Sequence, residues 1–269
     1  MRLFHRLIWA ALAVALAVST LQTALHQLWA VPLLLEAERF EDQKVVAAPP
    51  ATHTHNEPHA HAHDEDAWSP ADGAERSVWT WVANVLHGFG LALLALVALT
   101  AWAWREGSRP SSPAWTTPAW VLALGVATAG FLSLHLWPSL GLHAEIPGMD
   151  AAELGARQRW WLLAAVSAAA ACACLAFARG RWRWAAAAAL LALPFVVGAP
   201  QLQVDPLAGF GPEAQAVLRP LGQRFVVVTH GIAVGLWMSL GLTCAWAYTR
   251  WVNPLVAPAL HHEGAPHGA

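Results

Sequence analysis

Six stretches of this chain run with almost no charge for about 20 residues, the length that crosses the hydrocarbon of a bilayer. That feature leaves few folds open. Inside hydrocarbon a backbone must satisfy its own N–H and C=O groups, so such runs are read as helices. They fall at about 7–31, 78–104, 118–137, 160–178, 183–199 and 221–249. With 57% hydrophobic residues and only 12% charged, the chain is an all-α, polytopic helical membrane protein of about six spans. Tryptophan marks the ends of the runs, as interfacial anchoring requires: Trp79 and Trp81, Trp102 and Trp104, Trp120 and Trp137, Trp160 and Trp161, Trp182 and Trp184, and Trp251. The run at 183–199 is short and broken by Pro194, so a five-span arrangement is the alternative.

Loop charge sets the expected orientation. With the N-terminus inside, the inner segments hold eight basic residues (Arg2, Arg6, Arg105, Arg109, Arg179, Arg181, Arg183 and Arg250) and two acids, a balance of +6. The outer segments hold the other seven basic residues and 15 acids, a balance of −8. The positive-inside rule then favours both termini on the cytoplasmic side. A cleaved signal peptide is the weaker reading, because the first apolar run is too long for an ordinary h-region. The resulting division is an N-terminus with the first span (1–31), a periplasmic acidic and His-rich loop (32–77), a helical membrane domain (78–250) and a cytoplasmic tail (251–269).

The outer loop has two parts. Glu36, Glu38, Glu41 and Asp42 follow Pro32 and form an acidic shoulder near the membrane. Then His53, His55, His59, His61 and His63 alternate through a Pro/Ala-rich tract ahead of Asp64, Glu65 and Asp66. Such a tract cannot pack a core, and its imidazoles suit weak, unselective capture of Zn, Cu, Ni or Co ions. A solubilising linker is the bland alternative.

Histidines within spans carry a sharper signal, because ionisable groups there are costly. His26, His87, His135 and His230 all fall in the expected outer part of their spans, and Asn84 lies one turn from His87. Each could simply bridge helices by a hydrogen bond. Together they suggest a membrane-embedded cation path with a mixed imidazole and carboxylate site. At about 1.5 Å per residue, His87 lies roughly 13 Å deep and His135 near the surface, which makes them successive stations rather than co-ligands. The connection after His135 is rigid: Pro138, Gly141, Pro147 and Gly148 punctuate it, and Glu145 can fold over His135. Cys172, Cys174 and Cys244 read as small apolar packing residues.

No GxxxxGK[ST], GxSxG or HExxH pattern is present, so neither an ATPase nor a hydrolase is expected. Nothing points to nucleic acid. Any transport must run down a gradient or be driven by a coupled ion or a partner.

Several segments resemble the CbtA family of predicted cobalt transporter subunits. They are VPLLLEAERFE at 31–41, the His-rich tract, WSPADGAERSVWTWVANVLHGFG at 68–90, HLWPSLGLHAEIPGM at 135–149, RQRWW at 157–161 and LPFVVGAPQ at 193–201. The resemblance implies a cobalt uptake permease linked to cobalamin synthesis and to a small His-bearing CbtB-like membrane subunit. It carries over Glu36, Glu38, His87, His135, Glu145 and Arg157. The chain departs from the family at His143, where Pro is usual, and at Phe195, where His is common. The family is often described with five spans. The expected function is therefore uptake of a divalent transition metal, Co²⁺ first and Ni²⁺ or Zn²⁺ as alternatives, with no permanently bound cofactor. Two other readings stay open: a non-conducting metal-binding accessory or sensing subunit, and a b-type cytochrome with paired histidines on haem.

Overall fold

In the computed structural model, which describes residues 1–44, 71, 73–107 and 118–256, all regular secondary structure among those residues is helical. The tract from His53 to His63 lies outside them. Helix α1 (Arg2–Leu25) runs through a π-helical turn, His26–Ala30, into α2 (Val31–Glu38). Helix α3 (Ala74–Gly107) returns, and α4 (Ala119–Phe131) passes through a second π turn, Leu132–Leu136, into α5 (Trp137–Ser139). Then come α6 (Leu154–Phe177), α7 (Trp182–Val197) and α8 (Pro212–Ala247), which ends in a third π turn, Tyr248–Val252.

Among the described residues, five helical stretches are long and apolar enough to cross a bilayer: Arg2–Gln43, Ala74–Arg105, Ala119–Ser139, Leu154–Phe177 and Pro212–Val256. The chain is a polytopic helical membrane protein. The run at 183–199 appears as α7, whose 16 residues reach only about 24 Å against the roughly 30 Å of hydrocarbon. Yet α7 still carries the chain back along α6. Trp160, at the start of α6, donates its indole N–H to Pro194 O at 3.0 Å, and Trp137 donates to Leu191 O at 3.0 Å. Phe195 packs edge-on against both indoles. Trp160 is thus buried and bonded to α7 rather than standing at a lipid interface. The two ends of the described chain meet, because Arg6 shares one cavity with Arg250 and Trp251.

The expected first span stops at 31, but the helix continues through Pro32 to Glu38. The reason is local. A proline ring displaces the carbonyl four residues back and offers it no N–H. For Pro32, Pro138 and Pro254 that carbonyl belongs to Leu28, Leu134 and Arg250, the middle residue of each π turn. The widened turn absorbs the defect. Helix α8 likewise starts at Pro212, nine residues before the expected 221, and carries Pro220 in its interior.

Two cores result. The bundle core joins α1, α3, α4 and α8 through small or branched side chains such as Ala11, Val14, Ala92, Leu96, Ala127 and Leu240. Small residues let the backbones approach. A Cβ on Gly88 would sit 2.6 Å from Ser19 Oγ, and one on Gly130 would enter the Trp237 ring. Polar pins bind α1 to α3: Ser19 Oγ donates to Asn84 O at 2.7 Å, and Asn84 Nδ2 donates to Thr23 Oγ1 at 2.9 Å.

The second core caps one end of the bundle. Leu33 and Ala37 of α2, Ile146, Leu207, Phe210, and Leu218 and Leu221 of α8 form it. Lys44 pins the cap, with Nζ 2.8 Å from Gly148 O, 2.6 Å from Asp150 Oδ1, and over the Phe210 ring. Gly148 needs its freedom, since its φ is +82° and a side chain there would meet Phe210. Asp150 N–H donates to Pro206 O at 2.8 Å, tying the 140–153 connection to the 198–211 connection.

Candidate functional site

A cavity of about 300 Å³ opens between the bundle and the cap, lined by side chains from α1, α3, α6, α8 and two π turns. Its polar lining is Gln22, His26, His87, His135 and Thr229; Leu91, Leu134, Trp161 and Trp237 are among the apolar walls. His26 opens the first π turn and His135 lies in the second. An extra residue in a helical turn re-aims the side chains around it, and π turns recur at functional sites for that reason. Gln22 sits one turn before His26, hence on the same face of α1.

Two buried polar atoms of this lining have no hydrogen-bond partner, Gln22 Oε1 and His135 Nε2. Gln22 is only 8% exposed. A buried acceptor or donor left unpaired costs about 1–3 kcal/mol, so both atoms are polar defects packed into the wall around the cavity.

His230 stands behind the cavity. Its Nδ1 lies 2.7 Å from Val226 O, which can only accept, and its Nε2 lies 3.0 Å from Ser139 Oγ. Its ring packs edge-on against His135 with centroids 5.0 Å apart, while Phe131 stacks on the other ring neighbourhood of His135 at 5.6 Å. Both nitrogens of His230 are thus occupied, and its geometry suits it to orient His135.

The carboxylates are elsewhere. Glu145 does not fold over His135 but pairs with Arg157 at 2.9 Å. Glu38 pairs with Arg76 at 2.9 Å, and Glu36 is exposed on α2. Among the described residues, no carboxylate lines the cavity. Among the described residues, no three His, Cys, Asp or Glu side chains come together closely enough to hold a metal ion. The expected imidazoles and carboxylates are thus not brought together among the described residues: the imidazoles line the cavity, while Glu38 and Glu145 pair with arginines. His87 and His135 both line this cavity. Asn84, one turn from His87, is spent on Thr23. Phe195 and His143 are not part of the lining.

Gln22 was missed in the sequence, although the rule that singled out the histidines applies to it: a large polar side chain in the apolar run LAVSTLQTALHQ has to have a partner or a use.

Comparison with known proteins bears on what this cavity serves. No curated protein and no solved structure matches the chain. The family model described as probable cobalt transporter subunit (CbtA) matches residues 4–249, which takes in every helix that builds the cavity. Five membrane-length helices around a histidine-lined cavity accord with that description, and the chain belongs to the CbtA family of probable cobalt transporter subunits.

Proposed function

We propose that this chain is the membrane-spanning permease of an uptake system for divalent transition metals, cobalt first among them, and that the cavity is its passage. The observation that carries the reading is that His26, His87 and His135, from three separate helical segments, all line one cavity. Imidazole is the protein ligand that suits Co²⁺, Ni²⁺ and Zn²⁺ alike. Placing three imidazoles at this depth is expensive unless something uses them. No three such side chains among the described residues come close enough to hold one ion, which favours passage over storage or sensing, because conduction needs an ion to leave as readily as it enters.

In the orientation favoured by loop charge, the cap faces the periplasm and both termini lie in the cytoplasm of the inner membrane. The outer balance of −8 would then raise the local cation concentration above the cavity. His53, His55, His59, His61 and His63 would collect scarce ions, and Glu36 with Glu38 would line the approach. A small His-bearing CbtB-like subunit is the partner we expect, in keeping with the description of the family as a transporter subunit.

Metal uptake into proteoliposomes containing the full chain tests this reading. Co²⁺ should accumulate, with Ni²⁺ and Zn²⁺ competing. Binding of Co²⁺ without accumulation, with the partner subunit both absent and present, would make the chain an accessory subunit instead.

A further inference from the structure

We infer that the end of the bundle opposite the cap binds the phosphate headgroup of an anionic phospholipid, in a site built from the start of α1 and the π turn after α8. The inference stands apart from the histidine-lined cavity and does not depend on what passes through it. Four observations support it.

The first is a gathering of like charge. Arg2, His5 and Arg6 line a groove of about 520 Å³ together with Trp9 and Leu255. An adjoining groove of about 360 Å³ shares Arg6 and Leu255 and adds Arg250 and Trp251. Cations held along one groove repel each other, and an anion between them relieves that. Among the described residues, no carboxylate pairs with Arg2, Arg6 or Arg250. The cap shows the opposite pattern, with Lys44, Arg157 and Arg219 each holding an acid.

The second is the donor chemistry. A guanidinium presents a planar fork of N–H donors that meets phosphate oxygens two at a time. Basic pockets between transmembrane helices take up anionic headgroups in this way.

The third is the order of side chains along the helices, which points to a lipid rather than a free anion. Arg2, His5, Arg6 and Trp9 are spaced i, i+3, i+4 and i+7, so they share one face of α1. Leu16 follows seven residues after Trp9 and is also exposed. On α8 and its π turn the same order runs in reverse, with Met238, Leu242, Trp246 and Arg250 all exposed at four-residue steps. Both rows pass from charge through tryptophan to apolar side chains. Headgroup, interface and acyl chain follow one another in the same sequence. A soluble anion would use only the charges.

The fourth is the anchoring of the walls. Leu3 and Leu7 of α1 pack on the bundle core, to which Tyr248, Val252 and Val256 also belong. Trp251 is braced edge-on against Trp246 with centroids 4.8 Å apart. The backbones that carry Arg6 and Arg250 are therefore set before a ligand arrives.

Native mass spectrometry of the detergent-solubilised full chain, titrated with dioleoyl phosphatidylglycerol, tests the inference. Wild type should retain one lipid that dioleoyl phosphatidylcholine does not replace. Arg6→Gln with Arg250→Gln should weaken retention about tenfold or more, the worth of a hydrogen bond to a charged group. Arg179→Gln with Arg181→Gln removes the same charge from the turn between α6 and α7, outside both grooves, and should bind like wild type. If the first pair does not insert, Arg6→Lys with Arg250→Lys keeps the charge, loses the fork, and should still bind less tightly than wild type. No retained lipid, equal retention of phosphatidylcholine, or equal weakening by the two glutamine pairs overturns the inference. So does wild-type retention by the lysine pair. Excess inorganic phosphate should leave the lipid in place; its displacement would make this a site for a free anion and contradict the lipid.

Discussion

The bundle and the cap of this molecule are held together by opposite means. The bundle relies on close approach: alanines, a glycine against Ser19, another against Trp237, and a few polar pins between α1 and α3. The cap relies on branched and aromatic side chains and on ion pairs, Lys44 with Asp150, Glu38 with Arg76, Glu145 with Arg157 and Asp205 with Arg219. In lipid, apolar surface gains nothing by burial, so helices associate through packing and hydrogen bonds. In water, burial itself drives association. The cavity lies where these two regimes meet, between segments that the π turns of α1 and α4 have re-aimed.

The contrast is open to attack, most severely through the bundle. Gly130→Leu puts a side chain where the Trp237 ring stands. Overpacking of this kind costs about 1–3 kcal/mol or more, and here α4 and α8 must separate. The variant should be largely lost from membrane extracts, whereas a tolerated Gly130→Leu would mean that the helices do not meet as described.

A paired truncation sharpens the comparison. Leu218 and Leu96 are both fully buried, one in the cap and one in the bundle. Arg219 and Arg224 share the first half of α8 with Leu218, which argues that this stretch lies beyond hydrocarbon. Leu218→Ala should therefore cost the usual 2–5 kcal/mol, roughly, of a buried leucine in water. Leu96→Ala should cost less, on the order of 1–2 kcal/mol, because only packing is lost in lipid. Thermal unfolding in detergent or nanodiscs measures both, and equal losses would erase the distinction.

Acid should loosen the cap before the bundle. The bond from Arg219, and then the Leu207 N–H, hold the Asp205 carboxyl below the usual aspartate range. Backbone N–H groups of Gly155 and Ala156 do the same for Glu153 at the start of α6. A carboxyl with a lowered folded pKa adds stability above its unfolded value, about 4, and loses it as pH falls through the lower folded value. Proteolysis of the 198–211 connection should therefore rise below about pH 4, and Asp205→Asn should raise it already at neutral pH. Equal protection at all pH values in both proteins would remove Asp205 from the account.

The smallest effect concerns the tract from His53 to His63. As a collector it matters only when metal is scarce. Its deletion should raise the half-saturation concentration for uptake and leave the maximal rate near normal. A collapse of the maximal rate would place the tract in the transport path.

Much of the fold was legible because bilayer length is a physical constraint that composition cannot hide. The five long spans and the four intramembrane histidines were all visible as apolar runs and their exceptions. The helix boundaries near proline were harder. The expected spans stop at 31 and start at 221, but a π turn lets the first helix run on past Pro32, and Pro220 lies inside α8, next to Leu218 and Leu221 of the cap core. The site was half legible. Ionisable residues inside a span announced themselves, while the fate of Glu145 depended on Arg157, twelve residues on. Gln22 was hidden by being neutral. The ring of His135 packs against His230 from a helix about a hundred residues away, and no local pattern encodes that.

The most direct test of the central claim is Co²⁺ flux through the full chain carrying His87→Leu, measured at matched protein levels in proteoliposomes. Leucine suits the helix and leaves the pins at Asn84, Ser19 and Thr23 untouched, so the variant should insert and fold. If the histidine-lined cavity is the passage, flux should fall about tenfold or more, as loss of a polar contact to a charged species would require. Flux equal to wild type in that variant would contradict the account.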